Sequence, residues 1–153
     1  GRCEVRRGSN PLAVVAARPA RLPPTMQDAA LEVAFDCQAP AEAWQRRFNG
    51  VPMRSRMRFD EGCLAERMGP VRFRFRLCRI DKDLHWVAEA ARLLGVLPLP
   101  TRWLDGVRCR AYAERERDQF EVDARLPLFG RIVHYRGWLE PAEDGEAAES
   151  TLT

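Results

Sequence analysis

The sequence predicts an α+β domain: a mostly antiparallel, curved β-meander, barrel-like, with a short N-terminal helix. Three observations carry this. Between Met53 and Leu77 apolar side chains alternate with arginines, Met53, Met57 and Phe59 against Arg54, Arg56 and Arg58, then Val71, Phe73, Phe75 and Leu77 against Arg72, Arg74 and Arg76. A period of two places successive side chains on opposite faces of a strand, so one face is dry and the other wet. Tight-turn signals recur at Asn49-Gly50, Glu61-Gly62 and Gly69-Pro70, close enough to join strands as hairpins. Only one short stretch near the start carries a helix-opening signal.

Cys3 to Arg7 reads as a short strand. Asn10 is a good N-cap and Pro11 suits the first helical position, so Leu12 to Arg18 reads as a helix of about two turns that Pro19 stops. Pro19 to Thr25 is an extended connector. Leu31 to Cys37 alternates with Leu31, Val33, Phe35 and Cys37 on one face, and Pro40 ends it. Trp44 to Phe48 leads into the Asn49-Gly50 hairpin. Asp81 to Asp83 is a further turn, and Leu84 to Arg92 follows as an element whose alanines suit a helix or a strand. Leu93 to Trp103 is an apolar loop with two prolines, expected to cover or border the interior because its leucines are too many to leave in water. Val107 to Glu114 and Phe120 to Leu126 form a hairpin, and Arg131 to Leu139 is the last strand. The count is about seven or eight strands. Residues 1–140 form one domain, and 141–153 reads as an acidic, flexible tail.

Composition is that of a globular chain, with 46% hydrophobic and 31% charged residues. No apolar run approaches the roughly 20 residues of a membrane span. The opening GRCEVRRG shows no signal peptide, and with no initiator Met the chain reads as truncated at its N-terminus. Lys82 is the sole lysine among 25 basic residues, a bias that a G+C-rich genome explains as well as a ligand does. The five cysteines have no metal-like spacing and read as free thiols of a reducing cytoplasm. His85 and His134 lie on separate elements without a second ligand at metal spacing. There is no GxGxxG, P-loop or GxSxG, so the expectation is no catalysis, no cofactor and no metal. Stacking aromatics are scarce on the arginine face, and it neighbours Glu32, Asp36, Glu121 and Asp123, which favours cross-strand ion pairs over nucleic acid.

The hairpins also set a register. Two-residue loops put Arg46 across from Met53, Trp44 across from Ser55, Met57 across from Glu66, Phe59 across from Leu64, and Glu66 across from Phe73 on its other side. Arg46, Ser55 and Glu66 then share a surface with Trp44, Phe48, Met57 and Phe75. Charges among such neighbours should be paired, as an internal salt bridge or as a polar anchor at the floor of an apolar pocket.

Several stretches, in order, resemble an uncharacterised, mainly bacterial family, domain of unknown function 4166. They are Arg6-Arg7-Gly8, Arg21-Leu22-Pro23-Pro24, Glu42 through Asn49-Gly50, Glu66 through Pro70, Leu128-Phe129-Gly130, and Tyr135 through Leu139. The resemblance implies no activity. Some members adjoin dehydrogenase-like regions, which implies an accessory role beside an oxidoreductase, although no dinucleotide-binding motif occurs here.

Three functional readings follow. The first is a non-enzymatic binding module for a small apolar or amphipathic ligand inside the curved sheet, by analogy with calycin or helix-grip folds. Trp44, Met57, Phe73 and Tyr135 would line it, and Arg46, Ser55 and Glu66 would orient the ligand. The second is an interaction or accessory domain with a filled core, docking a partner protein through Leu93, Leu94, Leu97 and Trp103. The third and weakest is an enzyme using Glu66 as a desolvated acid or base.

Overall fold

In the computed structural model, which describes residues 1–38, 41–60 and 62–142, ten antiparallel strands close on one another as a barrel. The strands are β1 (Arg2–Arg7), β2 (Met26–Gln38), β3 (Ala41–Phe48), β4 (Val51–Asp60), β5 (Cys63–Met68), β6 (Val71–Ile80), β7 (Asp83–Leu93), β9 (Val107–Glu114), β10 (Arg117–Leu126) and β11 (Gly130–Leu139). Each pairs with its neighbour in this order, β7 with β9, and β1 with β11 closes the ring. The two-residue strand β8 (Leu97–Pro98) adds to the end of β7 where β9 has already left it. Closure removes the exposed edges that would template association. The eleven strands exceed the seven or eight expected. Leu84 to Arg92, which suited either state, is strand, and β2 begins five residues before its alternating stretch.

Both arginine rows, on β4 and β6, face solvent. Inward side chains form two apolar clusters. One gathers Val5, Leu31, Phe48, Met53 and Tyr135 from β1 to β4 and β11, and the other gathers Phe75, Ala88, Leu104, Val107 and Cys109. Val122 and Ala124 of β10 pack against both. Bulges at Arg74/Phe75 against β7 and at Ala124/Arg125 against β11 break strict alternation. The second puts Ile132 and Val133 side by side, both buried.

Ile132 is thereby turned onto α1 (Pro11–Ala17), whose Ala13 and Ala17 it packs against. The helix starts as its sequence requires: the Asn10 side chain accepts from the Leu12 amide at 2.9 Å, with Pro11 in the first turn. Its exit crosses toward the β5–β6 turn, where a Cβ on Gly69 would come 2.3 Å from the Pro19 carbonyl oxygen. The segment 94–106 closes the same barrel end beside it, through Leu99, a 3₁₀ turn at Thr101–Trp103, and the fully buried Leu104.

This covering is narrower than the apolar loop suggested. Leu94 is 73% exposed and Leu97 57%, while Leu93 and Trp103 are half-buried, Trp103 against Phe129 at a ring distance of 6.0 Å. The proline at position 40, Glu61 of the Glu61-Gly62 turn, and the acidic stretch from 143 onward lie outside the described residues. No described helix is long and apolar enough to cross a membrane.

Candidate functional site

The hairpin of β3 and β4 turns on Asn49 and Gly50, both at positive φ, and the Asn49 side chain anchors the turn by accepting from the Ala30 amide at 2.8 Å. The resulting register is the one the turns implied: Arg46 opposite Met53, Trp44 opposite Ser55, Met57 opposite Glu66, and Glu66 opposite Phe73. Three neighbouring strands therefore deliver Arg46, Ser55 and Glu66 to one patch of the inner wall.

Arg46 reaches over Ser55 to Glu66. Its Nη1 donates to Ser55 Oγ at 3.0 Å, and Nη1 and Nη2 donate to Glu66 Oε1 at 3.5 and 3.4 Å. The two charged side chains are only 11% and 5% exposed. The guanidinium also lies 5.1 Å from the centre of the Trp44 ring, a cation–π contact. Trp44 meets Phe35 edge-on at 4.4 Å and donates from Nε1 to Glu42 at 3.1 Å. Met57 and Phe73 flank Glu66 on its two neighbouring strands, and Phe73 stacks on Phe75 at 5.5 Å.

Tyr135 joins from the far side of the ring, on β11, packed edge-on against Phe48 at 5.6 Å. Burial pushes its phenol well above the usual range, and the charges of Arg46 and Glu66 both reach it, Arg46 pulling down and Glu66 pushing up. The Cys109 thiol behaves alike. Burial raises it most and Glu66 adds to the rise, while Arg46 and a hydrogen bond with Trp86 oppose it. Cys109 and Trp86, opposite each other on β9 and β7, are the members that sequence reasoning missed. Their pairing joins strands distant in sequence, and no turn between them sets the register.

The two barrel ends differ. Helix α1 and segment 94–106 cover one. At the other, Phe35 and Phe59, which share the inward parity of Trp44 and Leu64, are 53% and 65% exposed. Phe59, expected in the interior, is at the rim because its strand outruns the covered core. Leu84 stands exposed at the same end.

The family model for a domain of unknown function (DUF4166) matches residues 1–139 of this barrel-forming chain. The chain belongs to that family. Neither a curated protein nor a solved structure matches it. Among the described residues of this DUF4166 domain, no group of three or more His, Cys, Asp or Glu side chains could hold a metal ion. Cys3, Cys63, Cys78 and Cys109 are free thiols.

Proposed function

We propose that this DUF4166 domain is a non-enzymatic binding module that takes a small apolar or amphipathic molecule into the barrel through the end rimmed by Phe35 and Phe59. The observation that carries the reading is the hydrogen-bonded Arg46–Ser55–Glu66 group, buried within an otherwise apolar wall. A structural pair of that kind is costly to bury, and hydrophobic replacements often serve stability as well or better. A polar anchor for a ligand head group gives it a use. Ring size is compatible with the reading: an eight-stranded barrel is either filled by side chains or holds one small ligand, and this barrel has ten strands. Trp44, Met57, Phe73 and Tyr135 supply the apolar lining, in the manner of calycin-like barrels.

The test is titration with a dansylated undecanoate, an anionic fluorescent amphiphile. Saturable dansyl enhancement is expected, lost in the folded double variant Arg46→Met/Glu66→Leu and weakened by Phe59→Ser. A flat titration, or one unchanged in the double variant, defeats the reading.

The exposure of Leu94, Val96 and Leu97 favours a second reading, an interaction or accessory domain with a filled core. Under it the amphiphile titration is flat, and Leu94→Asp with Leu97→Asp changes association without changing the fold.

A further inference from the structure

A cavity of about 280 Å³ lies away from the barrel interior, where the end of β1, the loop into α1 and the turn into β11 meet. Arg7 and Arg131 line it, with Gly8, Ser9, Asn10 and Gly130 between them and Phe129 as an apolar wall. Among the described residues no carboxylate lines it.

Both arginines carry a donor without an acceptor. Arg7 Nη2 and Arg131 Nε are buried, and among the described residues no atom accepts from either. Buried guanidinium donors are rarely left so, and each such case calls for a missing acceptor. Two of the surrounding polar groups, Asn10 and Asp123, are already engaged. Asn10 accepts from the Leu12 amide with one end and donates to the Leu128 carbonyl with the other. Asp123 accepts from Arg125 at 3.1 Å and stands 4.0 Å from Arg131 Nε, too far for a hydrogen bond. Backbone approach is close here as well: a Cβ on Gly8 would fall 1.7 Å from the Arg131 carbonyl oxygen, so residue 8 must be glycine for the two arginine-bearing segments to meet.

We propose that this cavity is an oxyanion site, in which Arg7 and Arg131 together hold a phosphate group, free or as the head of a small phosphomonoester. Guanidinium forks match phosphate oxygens in geometry and charge. Arg7 Nη2 and Arg131 Nε are themselves sealed, and neither guanidinium hydrogen-bonds a described residue, so the remaining N–H groups of the two forks are the ones that would meet the anion. The volume exceeds what a single phosphate fills, which leaves room for the first carbons of an ester beside Phe129. The site is independent of the interior anchor.

Isothermal titration at constant ionic strength tests it, with inorganic phosphate in one arm and glycerol phosphate in the other. Saturable binding in at least one arm is expected, and sodium chloride at matched ionic strength should give none. Tighter binding in the second arm assigns the ester as ligand, and binding in the first alone assigns the free anion. Arg131→Met should weaken it about tenfold or more, Arg131→Lys less, since the lysine keeps the charge without the fork. Should Arg7→Met fail to fold, backbone amide shifts of Gly8 and Gly130 in the unaltered protein must still move saturably with phosphate. No saturable binding up to concentrations on the order of 10 mM overturns the proposal. So does binding that Arg131→Met leaves unchanged.

Discussion

Arg46 and Glu66, two strands apart on the barrel wall, meet across Ser55 with 3.4 Å between Nη2 and Oε1, both side chains almost sealed from water. Removing one partner leaves the other buried and unpaired. Glu66→Ala is therefore expected to cost about 3–5 kcal/mol in urea unfolding. Glu66→Gln should cost less, because the amide keeps a carbonyl acceptor for the guanidinium. Arg46→Met/Glu66→Leu together should be more stable than either alanine single variant. If Glu66→Ala unfolds at the parent's midpoint, the pair is not closed in solution.

This pair is legible in the sequence because everything that sets it is local. Asn49-Gly50 and Gly69-Pro70 bound short hairpins, and a two-residue loop leaves one register open to the strands beside it. The outward arginine rows follow from the same parity. What lay beyond reach depends on distant segments. Closure needs β1 on β11 and β7 on β9, and no two-residue hairpin loop joins either pair to set its register. Cys109 and Trp86 entered the site by that route. The bulges were equally hidden, since an extra residue such as Ile132 looks like ordinary strand until α1 is packed against it. The orphaned donors of Arg7 and Arg131 are invisible in sequence, where each is one arginine among many.

Gly137 faces inward between β1 and β10, opposite Cys3 and Phe120. A Cβ there would lie 2.2 Å from the Arg2 carbonyl oxygen and 2.6 Å from Cys3 Cβ. The first of these is backbone in a closed ring, which has little room to shift. Gly137→Ala is expected to lose at least about 1–3 kcal/mol by overpacking. Gly50→Ala is the comparison: its Cβ meets nothing within 4 Å, and its φ of +81° leaves only the left-handed penalty, about 1–2 kcal/mol. Chemical denaturation of the two variants should rank them in that order, and the reverse order would contradict the tight β1–β11 closure.

The outer arginines are expected to matter little. Arg54, Arg56 and Arg58 all face solvent on β4. Exposed charges contribute about 0–1 kcal/mol each even when paired. Replacing all three by Gln should leave the urea midpoint within the range of ordinary surface substitutions, about 0.5 kcal/mol per site. The inward Arg46→Gln on the neighbouring strand should cost several times more. A large loss from the outer triple variant would mean that the row serves an ion-pair network of the fold.

Alkali should loosen the barrel from within. Burial pushes the Cys3 thiol from its ordinary value of 9.0 up to about 11, and burial also raises Cys109 and Tyr135. For an acid of this kind the folded form holds a proton that the unfolded chain releases first. Stability is then flat below pH 9 and falls as pH rises from 9 toward 11. The slope reaches at most about 1.4 kcal/mol per pH unit for each group fully offset between the two states. Urea midpoints measured at pH 7, 9 and 10 should decline over the last interval. Cys3→Ala should be somewhat less stable at pH 7, yet show a shallower decline, because one of the three buried acids is gone. An equal decline in the variant and the parent would mean that the Cys3 thiol ionises as readily in the barrel as in the unfolded chain, and that β1 does not seal it from water.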